Sequence, residues 1–262
     1  MFNLWVIPIG FAGGILAGYL GIGGGPIFVP TLFFFMASVT PENLIPKVSV
    51  ATSSGAIVFT AIASSLRHLQ LGHVEVPLFA RLAVGALIGA FFGGFIVRVL
   101  PAQVLTAVIA VVLFLAAVRL ITSKEKDEEQ LKCRLWWLTP VGILIGAVSA
   151  TVGIGGGVMA VPVLACVLCL RTKKAAGTSA AFTLALAVSS VIGHIFWGQG
   201  VDGLPKGSLG FVNVPFALML GLPAAGGAIV GAGLHRRFEP KFFRWIFAAI
   251  LVLVASKIAF FD

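Results

Sequence analysis

Residues 21–30 read GIGGGPIFVP, and residues 153–162 read GIGGGVMAVP. Both segments fit the pattern G-I-G-G-G-x-x-x-x-P, and both lie within long apolar stretches. Adjacent glycines interrupt an α-helix, since each costs about 1 kcal/mol relative to alanine. In a membrane, the backbone groups released by such a break must find partners in protein, water or ligand. A break at matching places in two halves of a chain predicts a transporter binding site, whereas close packing of helices on glycine is the structural alternative.

The composition predicts a polytopic membrane protein. The 262 residues are 59% hydrophobic and 10% charged, and the mean hydropathy is +1.10. A soluble domain carries about 25% charged residues. The net charge of +9 comes mostly from short connections between apolar blocks, which is the positive-inside pattern and not a nucleic-acid surface. The lipid bilayer is therefore a predicted partner, and nucleic acid is not.

Eight apolar blocks divide the chain, at about 4–38, 46–66, 75–99, 102–121, 135–170, 174–195, 211–235 and 241–260. The first and fifth blocks exceed the ~20 residues of one membrane span, and each contains a glycine break. We expect them to split into helical pieces at 4–20, 26–38, 135–152 and 158–170, which gives about ten helical segments. The sequence leaves open whether these pieces cross the membrane or form re-entrant hairpins.

The two halves also share later features. Ala51-Thr52-Ser53 matches Gly177-Thr178-Ser179, and His68 matches His194, both at a spacing of 126 residues. We predict a first repeat at 1–121, a charged cytoplasmic linker at 122–134 and a second repeat at 135–262. Basic residues predict that the linker and the loops 67–74, 171–174 and 235–244 are cytoplasmic, with 39–46, 98–101 and 196–210 outside. Corresponding loops then lie on opposite sides, so the repeats are predicted to have inverted topology.

The predicted site binds an anion. Helices that restart after the breaks offer free N–H groups and the positive end of a helix dipole, which bind anions. Hydroxyl groups can donate further hydrogen bonds, although Ser and Thr in helices often bond back to the preceding turn. The predicted substrate-binding residues are Gly23, Gly24, Gly25, Thr52, Ser53, Gly155, Gly156, Gly157, Thr178 and Ser179.

Three further residues are candidates for gating or proton coupling: Lys47, His68 and His194. Each histidine lies 16 residues beyond its threonine, about 24 Å along a straight helix, so it cannot share a small ligand with that threonine. The sequence shows no nucleophile–base pair, metal-ligand cluster or phosphate-binding lysine motif. We therefore predict neither an enzyme nor a bound metal or cofactor.

The cysteines suggest one alternative function. Cys166 and Cys169 form a C-x-x-C pair in an apolar segment, and Cys133 lies in the linker. A membrane thiol-disulfide carrier is therefore one rival interpretation, although buried cysteines often serve as small apolar side chains. A channel or a subunit of another membrane complex is the second rival, and the sequence leaves a homodimer open.

The paired glycine motifs resemble the TauE/SafE sulfite exporter family, also described as the toluene-sulfonate uptake permease group. Gly177-Thr178-Ser179, the stretch Ser189 to His194 and Gly200-Val201-Asp202 are similar to its second-half pattern. The first half departs from it at Ala51 and at Val74-Glu75. The resemblance implies transport of sulfite, or of an organosulfonate such as sulfoacetate, across a bacterial inner membrane. A secondary transporter working by alternating access is the function expected.

Overall fold

The computed structural model describes residues 5–20, 23–122, 137–164, 170, 172–234 and 249. The helices within these ranges are α1 Val6–Leu20, α2 Gly25–Met36, α3 Ile45–Gln70, α4 Val76–Val99, α5 Ala102–Thr122, α6 Leu138–Val152, α7 Gly157–Pro162, α8 Thr172–Trp197 and α9 Val214–Leu234. A 3₁₀ turn, Glu42–Leu44, leads into α3, and a short antiparallel hairpin, β1 Ser208–Leu209 with β2 Val212–Asn213, leads into α9. The all-α prediction is confirmed, with the two-stranded hairpin as a small addition.

The lengths and compositions of the helices confirm the polytopic prediction. Among the described residues, four helices are long and apolar enough to cross a membrane: Glu42–Gln70 with its 3₁₀ turn, Val76–Val99, Lys174–Trp197 and Val214–Gly233. Shorter apolar helices are Val6–Tyr19, Gly25–Met36, Ala102–Val118 and Leu138–Val152. The predicted last block except residue 249, most of the linker, the loop 235–244 and all three cysteines lie outside the described residues.

Each predicted glycine break separates two helices. The break after α1 is followed by α2, and the break after α6 is followed by α7. In the piece predicted at 158–170, α7 covers Gly157–Pro162 and residues 163–164 continue as π-helix, while residues 165–169 lie outside the described residues. The other three pieces agree with prediction to within three residues.

Helices α1 and α2 form a hairpin with the glycine break at its tip. A Cβ atom on Gly13 would lie 3.0 Å from the Phe28 ring and 3.3 Å from Ile27 Cγ2. Further from the tip, Trp5 and Ile9 of the α1 end line one groove with Phe34 of α2. Because residues progressively farther from the break face each other, the chain doubles back at the glycines and does not continue in the direction of α1.

Close backbone contacts at glycine join helices from different halves of the chain. A Cβ atom on Gly14 of α1 would lie 2.1 Å from the carbonyl oxygen of Ala224 in α9. In the same way, a Cβ on Gly142 of α6 would lie 2.4 Å from the carbonyl oxygen of Leu82 in α4. Small residues allow such close approach of helices in membranes. The first helix of each half therefore packs along a helix of the other half.

Polar contacts show which helix ends meet. Lys47 Nζ, at the start of α3, donates to the Arg98 carbonyl near the end of α4 at 2.7 Å. Arg98 Nη1 donates to the Trp197 carbonyl at the end of α8, also at 2.7 Å. At the opposite end of these helices, Lys174 pairs with Glu75, which immediately precedes α4. We call these two regions the Lys47 end and the Glu75 end.

The close contact at Gly14 predicts a sharp difference between two Gly→Ala variants. Gly14→Ala places a methyl group against backbone that cannot rotate away, and we expect it to destabilise the fold by about 1–3 kcal/mol. Gly233→Ala is the matched control, since no atom of the described residues lies within 4 Å of a Cβ there. It should be neutral or stabilise α9 by about 0.5–1 kcal/mol. Thermal unfolding of detergent-purified protein measures both effects, and equal melting temperatures for the two variants would contradict the described packing.

Candidate functional site

The two glycine breaks use left-handed backbone conformations. Gly24, the residue before α2, has a φ of 84°, and Gly156, the residue before α7, has a φ of 73°. Gly23 and Gly155 have φ values of 84° and 80°. Residues with a Cβ are strained in this region, so the turns at both breaks require glycine.

The breaks lie directly against each other. A Cβ on Gly25 would be 2.5 Å from Ile154 Cα and 2.6 Å from the Gly153 carbonyl oxygen. The side chains of Ile57 and Thr183, from the middle of α3 and α8, border both Gly23 and Gly155. The structure therefore brings Gly23, Gly24 and Gly25 together with Gly155, Gly156 and Gly157 between the two central helices α3 and α8.

Hydroxyl groups from α3 bind the carbonyls of the breaks. Ser53 Oγ donates to the Gly153 carbonyl at 2.8 Å, which links the first half to the break of the second. Thr60 Oγ1 donates to the Gly23 carbonyl at 2.9 Å. On α8, Ser179 Oγ lies 3.4 Å from the Gly157 carbonyl oxygen. The predicted residues Ser53 and Ser179 thus reach the breaks, and Thr60 is a contributor that sequence reasoning missed.

The two predicted threonines have a different partner. Thr52 Oγ1 accepts a hydrogen bond from the backbone N–H of Asn213 at 3.0 Å, and Thr178 Oγ1 accepts one from the N–H of Glu75 at 3.0 Å. Asn213 and Glu75 immediately precede α9 and α4. Each threonine therefore holds the start of a helix from the other half, and neither of these bonds is the return bond to the preceding helical turn.

The three gating candidates lie toward the ends of their helices. Lys47 caps the end of α4 at the Lys47 end. The ring of His68 lies 5.7 Å from that of His73, between ring centroids, where α3 leads to the Glu75 end. His194 is fully buried in the last turns of α8, with Nε2 3.2 Å from the Ala150 carbonyl oxygen. Since Ala150 is three residues before Gly153, His194 lies beside the end of the helix that leads into the second break.

Thr183 was also missed from the sequence. Its equivalent in the first half, at the 126-residue spacing, is Ile57, so comparison of the halves gives no matching pair to select. The sequence feature that could have identified Thr183 is a single threonine in the middle of a predicted membrane span. Thr183 is 1% exposed, and its Oγ1 has no hydrogen-bond partner among the described residues.

An apolar groove elsewhere does not fit an anion. It has a volume of about 410 Å³ and is lined by Trp5, Ile9, Pro30, Thr31, Phe34 and Phe35. Its one hydroxyl, on Thr31, donates to the Ile27 carbonyl of its own helix at 2.7 Å. Trp5 and Phe34 are largely exposed, which is expected of apolar side chains that face lipid.

The fold and the site define a multi-pass α-helical membrane protein in which two glycine breaks between helices meet between the central helices α3 and α8. Residues 6–258 match the family "Sulfite exporter TauE/SafE". The chain belongs to this family, which is a family of membrane transporters.

Curated relatives agree with this assignment. The chain is 32% identical over 260 residues to a "Probable membrane transporter protein" of Haemophilus influenzae, covering 97% of each chain. It is 26% identical to one of Methanocaldococcus jannaschii, covering 94% of this chain and 91% of the relative. It is 21% identical to the Bacillus subtilis protein YunE, also described as a probable membrane transporter, covering 97% and 96%. No solved structure gives a significant match.

The threonine contacts predict an unequal pair of stability effects. Thr52→Val leaves the backbone N–H of Asn213 without its acceptor, and since Asn213 is buried we expect a loss of about 1–3 kcal/mol. Thr178→Val should cost less, because Glu75 is only partly buried and water can replace the hydroxyl. Unfolding of both variants in detergent measures the difference, with Thr52→Ser and Thr178→Ser as controls that keep the acceptor. A smaller loss for Thr52→Val than for Thr178→Val would contradict this explanation.

Proposed function

We propose that this protein is a secondary transporter that moves a small sulfur-containing anion, sulfite or an organosulfonate such as sulfoacetate, across a bacterial inner membrane. The observation that supports it most directly is the meeting of the two glycine breaks between α3 and α8. Ligand sites in transporters of this kind are formed by broken helices near the middle of the membrane. The family name supplies the sulfur-oxyanion class.

The hydrogen bonds at the breaks favour an anion over a cation. The carbonyl oxygens of Gly153 and Gly23 already accept hydrogen bonds from Ser53 and Thr60. The carbonyl of Gly24 accepts from the N–H groups of Ile27 and Phe28 at 3.0 and 3.1 Å. Among the first four residues of α2, Pro26 has no N–H group, and the N–H groups of Ile27 and Phe28 already bond to Gly24. The N–H of Gly25 is therefore left directed out of the helix start, where a negative charge is stabilised.

Both breaks are included in the proposed site. Helix α2 begins at Gly25 and α7 at Gly157, so each break lies at the start of a helix, where the helix dipole is positive. Gly23, Gly24 and Gly25 form one wall in the proposal, and Gly155, Gly156 and Gly157 form the other. Ser53 and Ser179 support the breaks, while Thr52 and Thr178 hold the neighbouring helices.

We further propose that the chain is built from two repeats of inverted topology, 1–121 and 135–262, joined by a cytoplasmic linker at 122–134. The Lys47 end gathers the connections around 39–46, 98–101 and 196–210, and the Glu75 end gathers those around 67–74 and 172–174. The loops at these two ends are the same two sets of loops that the sequence predicts to lie on opposite sides of the membrane. Opening of the site alternately toward each end gives alternating access, with Lys47, His68 and His194 as candidates for gating or proton coupling.

Counterflow tests the transport function. Proteoliposomes that contain only this protein are loaded with unlabelled sulfite or sulfoacetate, and labelled anion is added outside. We expect saturable accumulation of label, because a carrier exchanges one bound anion for another. A channel, or a subunit that requires other proteins, would not give saturable counterflow. If folded protein gives no saturable counterflow with any sulfur oxyanion tried, the proposal is contradicted.

The glycine conformations predict how one variant affects this assay. Gly24→Ala introduces a Cβ at a left-handed position beside the Phe28 ring, and we expect at least about a tenfold loss of transport as the donors move. Gly72→Ala is the matched control, since Gly72 has a φ of 67° but open space around it. Both variants carry similar backbone strain, about 1–2 kcal/mol. Equal transport by the two, at equal amounts of folded protein, would rule out a role for the first break.

A further inference from the structure

Thr183 occupies the point at which both glycine breaks meet. Its γ-methyl carbon lies 2.8 Å from the position of a Cβ on Gly23 and 3.4 Å from the position of a Cβ on Gly155. The side chain is 1% exposed and comes from the middle of α8. Thr183 is therefore a side chain from the second half of the chain that borders both glycine breaks of the proposed site.

The hydroxyl of Thr183 differs from the hydroxyls of three other helical threonines in its lack of a partner. Thr31, Thr106 and Thr151 each donate to the carbonyl four residues earlier, at 2.7, 2.9 and 2.8 Å. This return bond is the usual way for a helix to satisfy a threonine hydroxyl. Thr183 Oγ1 is buried without any hydrogen-bond partner among the described residues. A buried hydroxyl without a partner is unfavourable, and a ligand with oxygen acceptors at this place would satisfy it.

The opposite wall of the same place is apolar. Ile57 of α3, the residue equivalent to Thr183, has its Cγ2 3.4 Å from the position of a Cβ on Gly23 and 3.0 Å from that on Gly155. On the α8 side the γ-methyl of Thr183 lies against both glycines, and the hydroxyl without a partner is bonded to the same carbon atom as that methyl. A ligand held beside both side chains can accept a hydrogen bond from Thr183 but none from Ile57. Such a pair suits an oxyanion that has one face without oxygen, as sulfite and sulfonates have and sulfate has not.

We propose that Thr183 donates the side-chain hydrogen bond that binds an oxygen of the transported anion, and that Ile57 contacts the face of the anion that carries no oxygen. This assignment rests on the proposed transport function and names the substrate class as pyramidal sulfur oxyanions and sulfonates. Thr183 discriminates between ligands, because its neutral hydroxyl gains a hydrogen-bond partner only when the bound ligand places an oxygen acceptor beside it.

The test compares Thr183→Val with Thr183→Ser in sulfite counterflow. Valine keeps the shape but removes the hydroxyl, and we expect it to raise the KM about tenfold or more, whereas serine should stay within about threefold. The melting temperature in detergent is the second measurement. Since the hydroxyl has no partner in the fold, Thr183→Val should unfold at the same temperature as the unchanged protein or higher. Thr106→Val, the same change on α5, is the control and should leave the KM unaltered.

A second variant tests the apolar wall. Ile57→Thr gives the α3 side a hydroxyl, and we expect sulfate to compete with labelled sulfite at least about fivefold better than it does against the unchanged protein. An unaltered KM in Thr183→Val, or a lowered melting temperature together with an equal defect in Thr183→Ser, would overturn the assignment of Thr183 while leaving transport established. Unchanged competition by sulfate in Ile57→Thr would overturn the assignment of Ile57. Absence of counterflow in the unchanged protein would remove the transport function itself.

Discussion

Contact of backbone with backbone at the glycine breaks is the constraint on which the rest of the structure depends. The space beside Gly25 is filled by Ile154 Cα and the Gly153 carbonyl, so no side chain fits between the two turns. Polar backbone groups placed at this depth cannot rely on water and must be satisfied within the protein. The hydroxyls of Ser53 and Thr60 meet this need for two carbonyls. Serine and threonine on α3 thus satisfy carbonyl groups of the breaks, and the N–H of Gly25, the first residue of α2, is left as a donor.

Much of the fold could be predicted from the sequence because its strongest signals are local. Three adjacent glycines break a helix wherever they occur, so the boundaries of α1, α2 and α6 agree with prediction. The partners of the hydroxyls could not be predicted in this way. Thr52 binds the N–H of Asn213, a residue 161 positions away, and only the packed arrangement of helices brings the two together. Thr183 was missed for a related reason: its equivalent, Ile57, is apolar, and a search for matching polar pairs selects only positions at which the halves are alike.

The differences between equivalent positions carry as much information as the similarities. Thr52 and Thr178 hold equivalent helix starts, yet their partners are Asn213 in one case and Glu75 in the other. Glu75 also pairs with Lys174, whereas Asn213 bonds to the Lys206 carbonyl and to Ser208 within its own loop. One end of the molecule is thus held partly by an ion pair. The other is held by hydrogen bonds to carbonyl groups and hydroxyls, including those from the charged Lys47 and Arg98 side chains. Salt weakens an exposed ion pair, so we expect the two ends to respond differently to ionic strength.

The glycine contacts also bear on which parts could move in a transport cycle. Helix α1 is joined to α9, and α6 to α4, by backbone contacts that leave no room for a side chain. Sliding one sequence half past the other would separate these closely packed pairs and lose their dispersion contacts together. Contacts of the same kind join α9 to α3, where a Cβ on Gly221 would lie 3.0 Å from Ala56 Cα, and α4 to α8, where a Cβ on Gly94 would lie 2.6 Å from the Gly193 carbonyl carbon. We therefore expect motion in a transport cycle to keep two mixed units together, α1, α3 and α9 in one and α4, α6 and α8 in the other, with the glycine breaks where these units meet.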